Sequence, residues 1–544
     1  MTDDNPPTGS TSGSATAPEM SWFGWGDPAR ATSLDPALRD LVAQFLRTEP
    51  RDLPPVAEDE VALPASRLDA AAHEALADVV GAEHVRVDDA ARLRHAGGKS
   101  TPDLLRRRSG SADPAPDAVV HPADHHEVER LLRVCSDARV AVVPFGGGTS
   151  VVGGVTPLRG EFPAVIALDL RRLDRLVLLD RVSATAVLGA GVRTPYAEAL
   201  LAEHGFTLGH MPQSFEYATI GGYAATRSSG QASSGYGRFE DMVVSLRVAT
   251  PRGTLELGGP PASAAGPDLR RLLLGSEGVL GVITEVGLRV RARPQTVLDE
   301  AWSFPDFGTG TAALRTLAQS DARPTMARVL DETETFVGAA LGGREATPGC
   351  QAVLGFEGSE ADVAARSAAV REVLTAAGGT PLGADPVAHW RENRFSAPYL
   401  RDTLLSSGFL AETLETAAAW SDLLPLYGAV AGALTRELDG DEGGAAVMCH
   451  VSHTYPTGAS LYFTVATAAG AAPLDRWDRA KRAASEAIVA HGGTITHHHA
   501  VGTDHRPWMG AEIGPLGGDV LRAVKAALDP VGVLNPGKLI PDPS

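Results

Sequence analysis

The chain has 544 residues, 44% of them hydrophobic, with 48 Lys and Arg against 67 Asp and Glu for a formal charge of −19. This length supplies cores for two or three domains, and the acidic balance repels phosphate backbones and anionic surfaces at long range, so nucleic acid is not an expected partner. Cys135, Cys350 and Cys449 lie far apart with no CxxC pair. That argues against zinc or iron–sulfur ligation and for a reducing, cytoplasmic setting.

Residues 1–20, acidic and rich in Gly, Ser, Thr and Pro, read as a disordered leader rather than a signal peptide. No apolar run reaches the roughly 18 residues of a membrane span. Residues 21–114 are expected to form an N-terminal helical arm. "SWFGWGDP" (Ser21 to Pro28) concentrates two tryptophans that anchor the arm, helical patterns run to about Arg94, and "GGKSTPDLLRRRSG" (Gly97 to Gly110) reads as a basic, turn-rich connector. Between residues 115 and 294 the texture changes to short β-branched runs such as "VAVVPFGGG", "AVIAL" and "ATAVLGAGV". With the amphipathic helix "DHHEVERLLRVCSDA", they predict an α+β domain. Residues 295–500 alternate helices ("SEADVAARSAAVREVLTAAG", "LDRWDRAKRAASEAIVAHGG") with strands ("CQAVLGFEG", "ASLYFTVAT"), an α+β cap domain with an antiparallel sheet. Residues 501–544 give one helix and a Pro/Gly-punctuated tail expected to pack back on the first domain.

Three loops of the first domain stand out. "VPFGGGTSVVGGV" (Val143 to Val155) follows a strand and carries five glycines, so its backbone can approach an anion closely and present N–H donors. It fits neither the Rossmann fingerprint nor a nucleotide P-loop. Similar loops occur within Met211 to Gly253 and Leu272 to Thr284, and three in one domain exceed what turns require.

Together with "WFGWGD", "TIGGYAATRSSG", "GYGRFEDMVVSLRVATPRG", "LLGSEGVLGVITE", "HTYPTGASLYF" and "HHHAVG", these loops resemble the PCMH-type FAD-binding domain of the vanillyl-alcohol oxidase superfamily. Within it, the resemblance is to the alkyldihydroxyacetonephosphate synthase (alkylglycerone-phosphate synthase) family, and it runs from Trp22 to Leu539. It implies a two-subdomain FAD-binding domain followed by the cap. Pro144, Phe145, Gly146, Gly147, Gly148, Thr149 and Ser150 would bind the pyrophosphate. Gln213, Ser214, Thr219, Gly221, Gly222, Thr226, Arg227, Ser228 and Ser229 would line the isoalloxazine and ribityl chain. Glu277, Gly278, Leu280, Gly281, Val282 and Ile283 would contact the adenosine end and ring edge. "PFGGGTS" contains no His or Cys, where some relatives tether the flavin, so non-covalent FAD is expected.

In the cap, "GASLYFTVAT" read as a strand puts Leu461, Phe463 and Val465 on one face and Ser460, Tyr462 and Thr464 on the other. Tyr462 falls where the resemblance implies an essential tyrosine. In "THHHAVG", an extended backbone would send His497 and His499 to one side and His498 to the other. A metal would then need ligands from elsewhere, with His450 and His453 of "CHVSHTY" the nearest candidates; none is expected. The resemblance instead places His497, His498 and His499 by the flavin, moving protons and positioning substrate. It also places Arg328 as an active-site arginine. One departure matters: the family's phosphate-gripping arginine corresponds to His450 here, leaving His450, His453 and Arg328 as substrate-binding residues and phosphate recognition open. The implied activity exchanges the acyl chain of acyl-dihydroxyacetone phosphate for a fatty alcohol through a flavin N5 adduct. The alternative is an FAD-dependent dehydrogenase or oxidase of a D-2-hydroxy acid. A small-molecule or lipid substrate, peripheral membrane contact and a homodimer follow as expected partners.

Overall fold

In a computed structural model of the protein, which describes residues 18–31, 33–345, 348–440 and 442–543, the β-branched runs of the first half build two main sheets. The first comprises β1 (Val85–Arg86), β2 (Ala118–Val120), β3 (Val140–Phe145) and β4 (Ala164–Asp169) in the order β1-β2-β4-β3. β4 runs parallel to both β2 and β3, and all its residues are buried. A parallel strand covered on both faces reads as such an unbroken apolar run. The helix His125–Ala138 buries Val128, Leu131, Leu132 and Cys135 at helical spacing, and Asp124 caps it by accepting the Glu127 amide.

The second sheet is antiparallel: β5 (Leu176–Asp180), β6 (Thr185–Gly189), β8 (Val243–Thr250), β9 (Gly253–Gly258) and β10 (Val282–Arg289), ordered β5-β6-β10-β8-β9. The short strands β7 (Phe206–Thr207) and β11 (Arg291–Ala292) pair separately.

The third sheet is antiparallel, in the order β15-β12-β14-β13-β17-β18-β16. Its strands are β12 (Thr296–Phe304), β13 (Met326–Leu330), β14 (Cys350–Gly358), β15 (Thr380–Gly383), β16 (Phe409–Ala419), β17 (Ala445–Tyr455) and β18 (Gly458–Ala468). Helices Phe307–Ala318, Glu360–Ala376, Leu423–Leu438 and Pro473–Ala490 pack on one face and share a core with Leu461, Phe463 and Val465. The opposite face is thereby left for Tyr462 and its neighbours.

Two features differ from the sequence reading, at the N-terminus and at the connector, and the C-terminal helix adds a kink. Residues 1–17 of the expected leader lie outside the described residues, but Glu19 already pairs with Arg171 at 2.6 Å and Met20 packs on Trp25, Tyr217 and Tyr399. The expected connector is instead a helix, Thr101–Arg108, started by Ser100 accepting the Asp103 amide and by Pro102 in its first turn. Arg106 is exposed, but Lys99 just before the helix and Arg107 and Arg108 within it are buried because carbonyls receive them: Lys99 donates to Ser21, Arg107 to Gly98 and Arg108 to Leu53. The C-terminal helix Met509–Leu528 is kinked at Gly514 before Pro515. It packs on the core of the second sheet, and beyond it Leu534 bridges Val142 of β3. No helix among the described residues is long and apolar enough to cross a membrane.

Candidate active site

The three glycine-rich loops interlock. A Cβ on Gly147 would lie 2.1 Å from the Tyr217 carbonyl oxygen, and one on Gly278, at φ +74°, 2.6 Å from Pro144. Only glycine permits these approaches, so the first loop seats on the second and the third on the first. Thr219 caps the helix Ile220–Thr226 by accepting the Gly222 amide at 3.2 Å, which points this helix start into the same space.

That space is a cavity of about 960 Å³ lined by all three loops and by the polar face of the third sheet. Every residue expected to hold the cofactor borders it except two. Arg227 ends its helix in a left-handed conformation and pairs with Glu240 at 2.7 Å, and Leu280 is buried in the core of the second sheet. Neither borders the cavity. Gln213 Nε2 and Gln231 Oε1 are buried on this wall without a hydrogen-bond partner among the described residues. Buried polar atoms of this kind require a ligand or water. With the glycine backbone, they fit a flavin dinucleotide, which needs local donors rather than net charge.

The polar wall is organised by Glu415 of β16, which stands opposite Tyr462 of β18. Its carboxylate, 1% exposed, accepts the amides of His497, His498 and His499 at 2.6, 3.1 and 2.9 Å and the Thr496 hydroxyl at 2.7 Å. Four donors converging on one buried acceptor bend the chain. The alternation expected of an extended backbone therefore does not occur, which corrects the sequence reading. Burial works against the Glu415 charge, but the adjacent histidine rings and donated hydrogen bonds hold its carboxyl well below the usual range.

His498 and His499 border the cavity, whereas His497 sits behind them, its Nε2 2.6 Å from the Tyr455 hydroxyl and its Nδ1 3.0 Å from His498 Nδ1. His453 follows a β-bulge in β17, which brings both Ser452 and His453 to the cavity. Its Nε2 donates to the Gly230 carbonyl at 2.9 Å, and its Nδ1 lies 2.9 Å from the Ser452 hydroxyl. Tyr462 packs among His450, His498 and His499, with ring centroids 5.1 to 5.9 Å apart. Burial pushes the Tyr462 phenol up to about 12 and the His498 and His499 imidazoles down to about 3 and 4; His453 and His497 lie well below their ordinary value for the same reason. Near neutral pH the wall is a protonated phenol among neutral imidazoles, able to pass a proton without holding a charge.

One nitrogen each of His453, His497 and His498 lies within 4.8 Å of the others, a spacing that could hold a metal. Their ring nitrogens already engage Gly230, Ser452, Tyr455 and one another. An ion would have to displace these bonds. Arg328, His450 and His453 all border the cavity. Sequence reading missed Glu415, Tyr455 and Glu334. The signal for Glu415 was a pair of glutamates, Glu412 and Glu415, within the strand sequence "FLAETLETAAA".

Past the polar wall the cavity becomes an apolar throat between the helices Pro36–Phe45 and Glu332–Leu341, bordered by Leu38, Val42, Val337, Leu404 and Met448. Leu41, Phe45 and Phe336 also border it and are 51%, 49% and 53% exposed. Apolar side chains lead from the interior to the surface.

Residues 116–258 match a family described as "FAD binding domain" and residues 293–539 one described as "FAD linked oxidases, C-terminal domain". The chain is 35% identical over 483 residues to alkyldihydroxyacetonephosphate synthase of Dictyostelium discoideum, covering 84% of this chain and 79% of that one. A solved alkyldihydroxyacetonephosphate synthase structure superposes with TM-score 0.83 at 31% identity, over 96% of this chain and 99% of that one. p-Cresol methylhydroxylase shares the fold at TM-score 0.68 and 16% identity, over 88% of this chain and 99% of that one. The interlocked loops, the polar wall and these likenesses lead to one conclusion: the chain is an FAD-dependent enzyme of the PCMH-type α+β fold and belongs to the alkyldihydroxyacetonephosphate synthase family.

Proposed function

We propose that the protein is a cytoplasmic enzyme that exchanges the acyl chain of an acyl-dihydroxyacetone phosphate-type ketone for a fatty alcohol, forming an ether lipid. The observation that carries this reading is the single cavity joining the glycine loops, the Tyr462–histidine wall and the apolar throat. A hydroxy-acid dehydrogenase has no use for the throat, whereas a long-chain alcohol fills it and gains burial along its length. The exposed Leu41, Phe45 and Phe336 support entry of that alcohol from a membrane surface.

The glycine backbone of residues 146–148 would hold the pyrophosphate, with Gln213 and Ser229 toward the ring, without a covalent tether. FAD, when bound, supplies the covalent-capture chemistry at N5 that lets carboxylate leave and alkoxide enter with no net redox change. The chain handles the protons. Tyr462 keeps its proton near neutral pH and donates a hydrogen bond to a developing oxyanion, while neutral His498 or His499 accepts the proton of the incoming alcohol. Glu415 fixes the turn that aims these rings. The test is to incubate the flavin-loaded enzyme with an acyl-dihydroxyacetone substrate and a long-chain alcohol without air. Ether and fatty acid should form in equal amounts; flavin bleached by a D-2-hydroxy acid with no ether formed would replace this reading by the dehydrogenase.

A further inference from the structure

The tail that follows the helix Met509–Leu528, residues 529–540, takes no part in the proton chemistry, and none of its residues borders the cavity. Asp529, 1% exposed, folds its start: the carboxylate accepts the amides of Gly532, Val533 and Leu534 at 3.0, 3.2 and 2.8 Å and Lys525 Nζ at 2.6 Å. Lys525 also donates to the Val279 carbonyl of the third glycine loop at 2.8 Å. The tail then runs along β3, at the edge of the first sheet, where the Val142 amide donates to Val533 and the Asn535 amide to Val142, each at 2.8 Å. β3 leads straight into the first glycine loop, so the tail is pinned beside two of the three loops.

Asn535, 1% exposed, joins those two loops directly. Its Nδ2 donates to the Gly154 carbonyl at 3.1 Å and to the Glu277 carbonyl at 2.6 Å. Both partners are carbonyls, which only accept, so the amide nitrogen must face them. Its Oδ1 is buried without a hydrogen-bond partner among the described residues, so the two N–H donors are what the position uses. The backbone here is left-handed at φ +39°, which Asn tolerates better than most residues. Gly154 and Glu277 both border the cavity, and the Glu277 carboxylate in turn accepts the amides of Val501 and Gly502, just past the histidine turn, at 2.9 and 2.8 Å. Lys538, 2% exposed, ties down the same stretch by donating to the Thr156 carbonyl at 2.9 Å.

Backbone donors bind a pyrophosphate tightly only where the loops that carry them are ordered before it arrives; otherwise binding has to order them. We propose that Asn535 is a positioning residue for the flavin: from outside the cavity it holds the first and third glycine loops at the separation the dinucleotide needs, so the C-terminal tail sets cofactor affinity. By linkage, the cofactor orders the tail as much as the tail favours the cofactor. The inference rests on the FAD dependence of the chain and not on the exchange reading.

The test dilutes the FAD-loaded full chain and follows cofactor release by flavin fluorescence, in the parent, Asn535→Gly and Asn535→Asp. Glycine keeps the left-handed backbone and loses both donors; aspartate keeps the shape but turns acceptors toward the two carbonyls. Two ordinary hydrogen bonds correspond to about ten- to a hundredfold in an equilibrium constant, so Asn535→Gly should release FAD faster by about that factor and Asn535→Asp faster still. A glycine variant that is less heat-stable yet releases FAD within about twofold of the parent makes Asn535 merely structural and overturns the proposal. A second measurement needs no variant: amide exchange of the parent with and without FAD. Loading should slow exchange at Leu534 and Asn535, outside the cavity, together with Gly147 and Gly278 of the loops. Slowing at the loops with none at the tail overturns the proposal, and decides the matter if neither variant folds.

Discussion

Replacing Glu415 by Gln tests the histidine wall at its support. The side chain keeps its size, but one acceptor oxygen becomes an amide that points N–H at N–H. If the remaining oxygen keeps Thr496, His498 and His499, the His497 amide loses its acceptor. Hydrogen bonds to charged acceptors contribute about 1.5–3 kcal/mol and neutral ones about 0.5–1.5, so three bonds weaken by roughly 1 kcal/mol each; an unsatisfied buried donor costs about 1–3 kcal/mol. Removing a buried charge returns part of this as relieved desolvation, leaving a net cost of about 3 kcal/mol to the turn. Amide hydrogen exchange at His498 and His499 should then speed up by about a hundredfold while β4 is unaffected, and turnover should fall with them as the rings lose their aim. Unchanged exchange at these amides with turnover within about twofold of the parent would refute Glu415 as the organiser of the wall.

Tyr462→Phe should keep full flavin and lose turnover by about a hundredfold or more, the scale of one proton donor or oxyanion partner; steady-state rates on flavin-matched protein check it. Gly147→Ala places a Cβ 2.1 Å from the Tyr217 carbonyl oxygen, so the purified variant should carry little flavin by absorbance at equal folded fraction. His499, at about 4 when folded against an ordinary 6.5, binds fewer protons in the folded state. Its contribution to stability, about 3 kcal/mol, is complete above pH 6.5 and lost as pH falls toward 4. The thermal midpoint of the parent minus that of His499→Asn, measured from pH 8 to 4, should be level above 6.5 and shrink below it. Acid precipitation should release all the flavin into the supernatant, since no covalent tether is expected.

The glycine loops were legible because close backbone approach leaves a mark in residue type, and Gly147 and Gly278 carry it. The face of Tyr462 was legible from period two. What the sequence hid was non-local. The direction of the three histidines depends on Glu415, more than eighty residues earlier in the chain, and no local pattern joins the two. Arg227 and Leu280 sit inside the glycine-rich motifs yet do not border the cavity, because a motif names a stretch and the backbone decides which side chains look inward. The helix Thr101–Arg108 was masked by its basic composition; its Ser-Thr-Pro start was the better guide. The throat left no motif at all, since it is made of ordinary apolar residues from separate elements.

The most direct test of the central claim is a single anaerobic turnover experiment on flavin-loaded protein with an acylated dihydroxyacetone and a long-chain alcohol. The account predicts one ether and one fatty acid per substrate consumed, with the flavin returning to its oxidised spectrum. A flavin that bleaches with a D-2-hydroxy acid, in protein that forms no ether, would contradict it.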